Sequence, residues 1–328
     1  MQRRHLIGLL AAAAALPVVA QTGADNYPNK PIRVIVPFAA GASSDVLGRV
    51  VMERMSRRLK QPFVIENKTG AGGTIGTAFV TKAPADGYTL LLTTSSPLTI
   101  NPLIDKAVMY DVQKDLVPVA VLNTVGLLLV AHPSFPAGSL QELIQVLKRD
   151  PGKYSFASNG SGSYSHMAME LFKKELGLDL THIPYRGAAQ AESDVLGGQV
   201  HLMFDSVATG SEFVKAGRLK TYGISSGQSD PLQPQHKPLA QQGVPQLRSF
   251  DVTAFTGLLA PAGTPPKVIA VMKEAVMEAL EDSELRAQLA GRSIPLSDPR
   301  QAFMMAQQLQ ADRVKWSDLV KTANIKLE

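Results

Sequence analysis

Strand-like and helix-like segments alternate along most of the chain, and this alternation limits its fold more than any other feature. Short apolar runs at 32–37 and 63–66 are each followed by a segment with helical spacing, at 43–60 and 73–82. Such alternation is typical of parallel β-sheets that are covered by helices on their faces. The sequence therefore predicts an α/β fold.

The alternation stops after a third strand-like run at 88–93 and then starts again with a helical segment at 139–149. A restart of this kind indicates a second α/β unit rather than one longer sheet. The second series continues with strands predicted at 154–157, 180–184 and 200–204, and with helices at 163–176 and 188–196.

Two apolar runs, 117–131 and 254–260, border the second unit, and a helix at 266–280 follows the later run. If both runs cross between units, the chain forms lobe 1 from 21–126 plus 250–328 and lobe 2 from 127–249. The alternative is that both are ordinary core strands of a single sheet. The chain length of 328 residues and the restart of the pattern favour two lobes.

The first twenty residues, MQRRHLIGLLAAAAALPVVA, have the features of a signal peptide that is cut after Ala20. A membrane anchor is the alternative, but the apolar run at 6–15 is too short to span a bilayer. The chain contains no cysteine, so it has neither disulfides nor a thiol that could carry a lipid. We expect export to the periplasm.

The charge of the chain is only mildly positive. The formal net charge is +5, and removing Arg3 and Arg4 with the predicted signal peptide gives +5 − 2 = +3. Acidic and basic residues are interspersed, and no long basic run is present. This pattern is typical of a solvated surface, so we do not expect nucleic acid as a partner.

Open α/β sheets bind ligands beyond the carboxyl ends of their strands, which selects six loops as candidates for a binding site. In the loop after the first strand, Gly41 and Ala42 leave room for an anion near the N–H groups of the next helix. This loop lacks the lysine of a nucleotide triphosphate site, so its guest should carry less charge than a nucleotide. The six loops are 37–45, 67–76, 93–101, 157–166, 184–190 and 205–210.

The loop at 157–166, ASNGSGSYSH, offers hydroxyls, an amide and unpaired N–H groups in one place. Taken alone, it is best explained as a capping turn that Ser163 would complete. Together, one such loop in each lobe favours a clamp around a carboxylate. Nearby, Arg186 either binds a carboxylate or braces a surface loop, and we regard His182 and His201 as structural.

The segment ENKTGAGGTIGTAFV at 66–80 approximates a dinucleotide fingerprint, but Ile75 stands where the last glycine belongs. Helix capping and close packing explain its glycines more simply. A second alternative is a periplasmic enzyme that acts on a carboxylated substrate through Ser43, His166 and Asp205. Ser43 could instead cap a helix, and the other two could hydrogen-bond a ligand. The common hydrolase and metal-site motifs are absent from the sequence, so we expect no metal or cofactor.

Five segments follow one another along the chain: YPNKPIRVIVPFAAGASSDVLGR, ENKTGAGGTIGT, ADGYTLLLTTSS, HIPYRGAAQAESDVLGGQVHLMFDS and GRLKTYGIS. In this order they resemble the Bug-type periplasmic solute receptors of tripartite tricarboxylate transporters, over essentially the whole mature chain. The resemblance implies a two-lobed periplasmic binding protein of the Venus flytrap, type II-like architecture with two crossover strands. It also implies a monomer that is not an enzyme, binds a small organic carboxylate between its lobes and serves a membrane transporter or a sensor.

The resemblance further implies which residues bind the ligand, through backbone amides and hydroxyls rather than arginine. One departure is the Gly41-Ala42 pair, where the family usually has two glycines, so this loop should be slightly stiffer. The positions carried over from the family are Phe38, Gly41, Ser43, Asp45 and Ser95 in lobe 1, and Ser158, Asn159, Ser163, His166 and Asp205 in lobe 2.

Overall fold

The computed structural model describes residues 26–323 and residue 325, so the predicted signal peptide lies outside the described residues. The first series of elements is β1 (Ile32–Val36), α1 (Ser43–Leu59), β2 (Phe63–Asn67), α2 (Thr74–Thr81), β3 (Thr89–Thr94), α3 (Ser96–Thr99), α4 (Asn101–Ile104), α5 (Val112–Asp115) and β4 (Leu116–Val125).

The second series begins one residue after β4. It consists of β5 (Leu127–Ala131), α6 (Leu140–Arg149), β6 (Ser155–Ser158), α7 (Tyr164–Leu176), β7 (Thr181–Pro184), α8 (Ala188–Leu196), β8 (Leu202–Ser206), α9 (Val207–Lys215) and β9 (Lys220–Ile224). The chain ends with β10 (Ala254–Pro261), α10 (Pro266–Glu281), α11 (Ser283–Ala290) and α12 (Met305–Thr322). Short 3-10 helices lie at Ala71–Gly73, Leu239–Gln241 and Pro245–Leu247.

The strands form two separate five-stranded sheets, in the orders β2-β1-β3-β10-β4 and β7-β6-β8-β5-β9. In each sheet three strands run parallel, and one strand runs antiparallel to both of its neighbours: β10 in the first sheet and β5 in the second. This confirms the α/β, two-lobed prediction, and the single-sheet alternative is wrong.

The chain passes between the two sheets at Gly126, which separates β4 from β5, and returns between β9 and β10. The predicted apolar run at 117–131 is therefore two strands of different sheets, and the run at 254–260 is β10. The limits of the lobes at 126/127 and 249/250 stay a prediction. Membership of a sheet assigns the strands to a lobe, but it does not say where in a connecting segment one lobe ends and the other begins.

The helix α12 packs against both lobes. Its Met305 and Leu309 lie in an apolar cluster with Phe255 of β10. Its Trp316, which is fully buried, lies in the core of the second lobe, where its ring stands edge-on to Tyr164 with 5.7 Å between ring centroids. The C-terminal helix therefore connects the two cores on one side of the crossings.

In the described part of the chain, no helix combines the length and the apolar character that crossing a bilayer requires.

Candidate functional site

A cavity of about 390 Å³ lies between the two sheets, next to the crossing at Gly126. Both series of elements contribute to its wall, and Gly126 itself and the neighbouring Val125 and Leu127 line it. A cavity of this size, formed where two lobes meet, is typical of small-molecule binding sites. We refer to it as the interlobe cavity.

The first lobe contributes the start of α1, where Gly41, Ser43 and Ser44 line the interlobe cavity. The N-cap of α1 is Ala42, which makes no side-chain capping bond, so the interpretation of Ser43 as a helix cap is wrong. Ser43 is the first helical residue and is exposed, so its hydroxyl is open to the cavity. The positive end of a 17-residue helix dipole also lies here, and it favours an anion.

Asp45 holds the loop at residues 38–45, which we call the first loop, in place. This carboxylate is almost fully buried and accepts hydrogen bonds from Gly41 N–H at 2.9 Å, Arg49 Nε at 2.9 Å and Asn67 Nδ2 at 2.9 Å. Burial alone would raise the pKa of Asp45, but these donors outweigh it and hold the pKa below its usual range. Asp45 therefore shapes the loop, and its oxygens already have partners.

The second lobe contributes the start of α9 rather than the start of α7. Ser206, Val207 and Ala208 line the interlobe cavity, and the Ser206 side chain caps α9 by accepting a hydrogen bond from Ala208 N–H at 3.2 Å. Helix N-termini from opposite lobes thus border one cavity. The loop after β8 was one of the six candidate loops, although α9 was not predicted as a helix.

Strands β3, β4 and β10 of the first sheet supply a polar floor for the cavity. Thr94, Asn123 and Thr256 line it, and Asn123 Oδ1 accepts a hydrogen bond from Thr256 N–H at 3.1 Å, which ties β4 to β10. Asn123 and Thr256 are buried. The signal for this floor was visible in the sequence, because Asn123 interrupts an otherwise apolar run.

The loop at residues 158–163, the second loop, uses its hydroxyls for its own structure. Ser163 caps α7 by accepting a hydrogen bond from His166 N–H, which confirms the capping interpretation, and its hydroxyl donates to Gly160 O at 2.7 Å. Ser158 Oγ lies 2.7 Å from His182 Nε2. Gly162 approaches α4 so closely that an added Cβ would lie 2.1 Å from Ile104 Cδ1.

Behind the second loop, the imidazole rings of His166 and His182 stack with 3.9 Å between centroids. His166 Nδ1 accepts a hydrogen bond from Gly162 N–H at 3.0 Å, so the neutral ring carries its proton on Nε2. Burial, followed by the charges of His182 and Lys173, lowers the pKa of His166 to about 3. Burial and then Lys173 lower that of His182 to about 4. Both rings are therefore neutral at physiological pH.

Asp205 is fully buried at the end of β8. Its Oδ1 accepts a hydrogen bond from Ser206 N–H at 2.7 Å, while its Oδ2 has no hydrogen-bond partner among the described residues. Burial and then the neighbouring Glu192 carboxyl raise the pKa of Asp205 well above its ordinary value. Asp205 therefore holds the backbone that leads into α9.

Among the described residues, the predicted ligand-binding residues that line the interlobe cavity are Gly41 and Ser43. The others are not among the described lining residues, and their roles as ligand contacts stay predictions. Phe38 is half-buried, and Ser95 lies buried at the end of β3, where its hydroxyl accepts a hydrogen bond from Phe255 N–H. The remaining such residues are Asp45, Ser158, Asn159, Ser163, His166 and Asp205.

The alternative that Ser43, His166 and Asp205 form a catalytic site does not fit this geometry. His166 Nδ1 is bonded to its own loop, Asp205 to the following N–H, and Ser43 lines the cavity without either of them. His182 lies on β7, and His201 Nδ1 accepts a hydrogen bond from Ser155 N–H at 3.1 Å, which is a structural contact.

Sequence reasoning missed the segment at residues 292–295, which follows α11 and lines the cavity from the first lobe. It also missed Asp230 of the second lobe, which lines the cavity as well. Both lie in irregular segments without periodicity, so no pattern in the sequence pointed to them. The exposed Arg186 is not among the described residues that line the cavity.

The chain is similar to known proteins over nearly its full length. A family model described as "Tripartite tricarboxylate transporter family receptor" matches residues 47–325. Protein BugT of Bordetella pertussis is 36% identical over 328 residues, covering 98% of each chain.

Two solved structures have the same fold. MatC (Rpa3494) from Rhodopseudomonas palustris with bound malate has a TM-score of 0.74 at 32% identity, covering 90% of this chain and 100% of its own. The periplasmic binding protein BugD has a TM-score of 0.73 at 30% identity, covering 92% and 100%. Because the family match and the full-length relative agree, the chain belongs to the receptors of the tripartite tricarboxylate transporter family, which are solute-binding proteins and not enzymes.

Proposed function

We propose that this protein is a periplasmic receptor that captures a small organic carboxylate in the interlobe cavity. The closed form then presents the ligand to the membrane subunits of a tripartite transporter. The observation that carries the proposal is that two helix N-termini from different lobes, those of α1 and α9, border one cavity. Partly positive N–H groups contributed by both lobes favour an anion, and closure would bury it among fixed donors.

Hydroxyls at both walls add to this preference. Ser43 and Ser44 of α1 face the cavity together with Ser206 before α9. Hydroxyls and backbone N–H groups can donate to a carboxylate without a bound cation, which agrees with a ligand of low charge. The malate bound to the related MatC is such a ligand, and the name of BugD supports the periplasm as the compartment.

The receptor acts as a monomer in this proposal, since both lobes of a single chain line the cavity. Service to a sensor instead of a transporter would use the same capture step.

Thermal unfolding of the purified protein tests the capture step. A panel of dicarboxylates, amino acids and aromatic acids should contain at least one compound that raises the unfolding temperature progressively, with the logarithm of its concentration above the dissociation constant, whereas ATP and NAD should not. If no carboxylate raises the unfolding temperature, the proposal is wrong.

Ser43→Ala should weaken the capture of the carboxylate found in this screen. Ser283→Ala is a matched control, because Ser283 is also the first residue of a helix and is exposed, but it is not among the described residues that line the cavity. Equal ligand affinity in both variants would contradict the assignment of Ser43 to the site.

A further inference from the structure

The segment at residues 292–295 forms a wall of the interlobe cavity, and it carries a positive charge. Arg292, Ser293, Ile294 and Pro295 all line the cavity, and Arg292 is the one cationic residue in the lining that the described residues provide. Arg292 is exposed. Its guanidinium is therefore available to an anionic ligand at low desolvation cost.

This segment is fixed to the first lobe. The guanidinium of Arg286, on α11, donates to the carbonyl oxygens of Leu280 at 2.5 Å and Ser297 at 2.7 Å. Ser297 N–H in turn donates to Leu122 O of β4 at 2.9 Å, and Ile294 N–H to Leu289 O at 3.0 Å. The backbone at Arg292 is thus held in place before any ligand arrives, and preorganisation of this kind lowers the entropic cost of binding.

The backbone at Ser293 adds to this arrangement, because its φ of 56° lies in the left-handed region that non-glycine residues adopt at some cost. The turn ends α11 and directs the chain along the cavity. Ile294 packs against the apolar core of the first lobe, and this contact anchors the turn.

Apolar side chains also line the interlobe cavity, beside Arg292 and the hydroxyl-lined helix starts. Val46, Val125, Val207 and Ile294 all contribute to the wall. A cavity of about 390 Å³ exceeds what one carboxylate group fills. The site therefore combines two kinds of anion-binding group, helix N-termini with serines and a guanidinium, with apolar wall that suits a hydrocarbon spacer.

We propose that Arg292 binds a second acidic group of the ligand, so that the receptor selects dianions with an apolar spacer over monoanions. This inference rests on the proposed function, because the first carboxylate is the one held between α1 and α9. A guanidinium forms paired, charge-assisted hydrogen bonds with a carboxylate and has no comparable partner on a neutral end.

Asp230 lies on the second lobe and is the acidic residue among the described lining residues. Its Oδ1 accepts a hydrogen bond from Leu232 N–H at 2.8 Å, which ties the carboxylate to its own turn. No ion pair between Arg292 and Asp230 is formed within the described residues at 4.0 Å or less. The competing hypothesis is that Asp230 binds an amino group of the ligand.

Isothermal titration of the full protein with two matched ligand pairs tests the proposal. The pairs are adipate with hexanoate and terephthalate with benzoate, in which the members differ by one carboxylate. We expect the unmodified protein to bind the dianion of at least one pair more tightly than its monoanion by about tenfold or more. Arg292→Gln should lower the affinity for that dianion by about tenfold and should change the affinity for the monoanion by less than about twofold.

Arg300→Gln is the matched control, because Arg300 is exposed on the same stretch of chain but does not belong to the lining that the described residues form. Arg300→Gln should leave the affinity for both members of the pair unchanged. Asp230→Asn should preserve or raise the affinity for the dianion. If 6-aminohexanoate binds more tightly than adipate and Asp230→Asn removes that advantage, the amine alternative is favoured and the proposal is overturned.

A purely structural role for Arg292, such as neutralising the carboxyl end of α11, predicts a lower unfolding temperature of Arg292→Gln with unchanged preference between the members of a pair. That result overturns the proposal. If neither pair binds while another carboxylate raises the unfolding temperature, this inference fails and the proposed function stands. If no carboxylate does so, both fail.

Discussion

The first and second loops are both built mainly from small residues, three alanines, a glycine and two serines in the first and three serines and two glycines in the second. The structure nevertheless supports them differently and exposes them differently. The first loop is exposed from residue 39 to residue 41 and borders the interlobe cavity through Gly41 and Ser43. The second loop is packed against α4 of the other lobe, and its Ser163 and Ser158 hydroxyls already have partners, Gly160 O and His182 Nε2 respectively. A sequence pattern that suits an anion site therefore does not by itself decide whether the donors are free.

The supports beneath the loops also differ in chemistry. Charged and amide groups hold the first loop, with Asp45 between Arg49 and Asn67. Neutral stacked rings hold the second, with His166 and His182 behind Gly162 and Ser158. Since carboxylates and imidazoles titrate in different pH ranges, the two supports should fail at different pH values.

The largest expected effect is the response to acid. The pKa values of His166 and His182 are lowered to about 3 and about 4 in the fold, below the value near 6.5 of an unfolded chain. Their contribution to stability is complete above about pH 6.5 and is lost as pH falls from there towards the folded values. The loss is at most about 1.4 kcal/mol per pH unit for His166 and less for the more exposed His182, whose charge is partly screened by water. Asp45, whose pKa is lowered, should lose its contribution only below about pH 4.

Unfolding temperatures from pH 7.5 to pH 4.5, measured by circular dichroism, check this order. His166→Asn keeps an acceptor for Gly162 N–H but does not titrate, so its unfolding temperature should fall less steeply over this range than that of the unmodified protein. His132→Asn is the control, because His132 Nδ1 likewise accepts a backbone N–H, from Ser134, outside the stack. An identical slope in all three proteins would contradict the role of the histidine stack.

Asp45→Asn should give the next largest effect, a loss of about 2–3 kcal/mol in the free energy of unfolding, because it removes a buried carboxylate that accepts charge-assisted hydrogen bonds. Ligand affinity should fall as well, since Gly41 loses its acceptor. Glu66→Gln is a useful comparison: Glu66 pairs with Arg33 on a half-exposed surface, and its loss should cost under about 1 kcal/mol. Chemical denaturation measures both, and equal costs would contradict the support proposed for the first loop.

Alanine substitution at Gly41 and Gly162 separates backbone strain from packing. Both glycines have positive φ, 85° and 77°, so each substitution should cost about 1 kcal/mol. At Gly41 no atom lies within 4 Å of the added Cβ, whereas at Gly162 it would press on Ile104. Gly162→Ala should therefore cost more, roughly 2 kcal/mol in all because the end of the Ile104 side chain can partly move, and should loosen the contact between the lobes. Similar unfolding free energies for the two variants would show that Ile104 moves aside without cost.

The smallest effect distinguishes a cap from a binding hydroxyl. Ser163→Ala removes the N-cap of α7 and should lower the free energy of unfolding by about 1 kcal/mol. Ser43→Ala should leave stability within about 0.5 kcal/mol, because Ser43 is not the cap of α1, and should change ligand affinity instead. Denaturation and ligand titration on the same two samples would reveal a reversal of these roles.

The sequence was sufficient for the elements that have strong periodicity. The helix at 188–196 matches α8, and the predicted strands at 32–37 and 63–66 differ from β1 and β2 by one residue at an end. The short helices α3 to α5 were missed, as was α12, because their burial comes from contacts with distant segments rather than from a local pattern.

The site was less accessible to sequence reasoning than the fold. The first loop was located correctly as a segment after a strand, but which helix start of the second lobe reaches the same cavity depends on how the sheets face each other. Arg292 lies about 250 residues after Ser43 in the chain, so only the three-dimensional arrangement brings both residues to the same cavity.

The edge-on contact between Trp316 and Tyr164 has a practical consequence. Trp316 is the single tryptophan of the chain, and it lies on α12, the helix that packs against both cores. Fluorescence excited at the red edge of indole absorption therefore comes from one buried position beside the junction of the lobes. Stopped-flow fluorescence can therefore follow, without any attached dye, a change at this junction when a ligand is added.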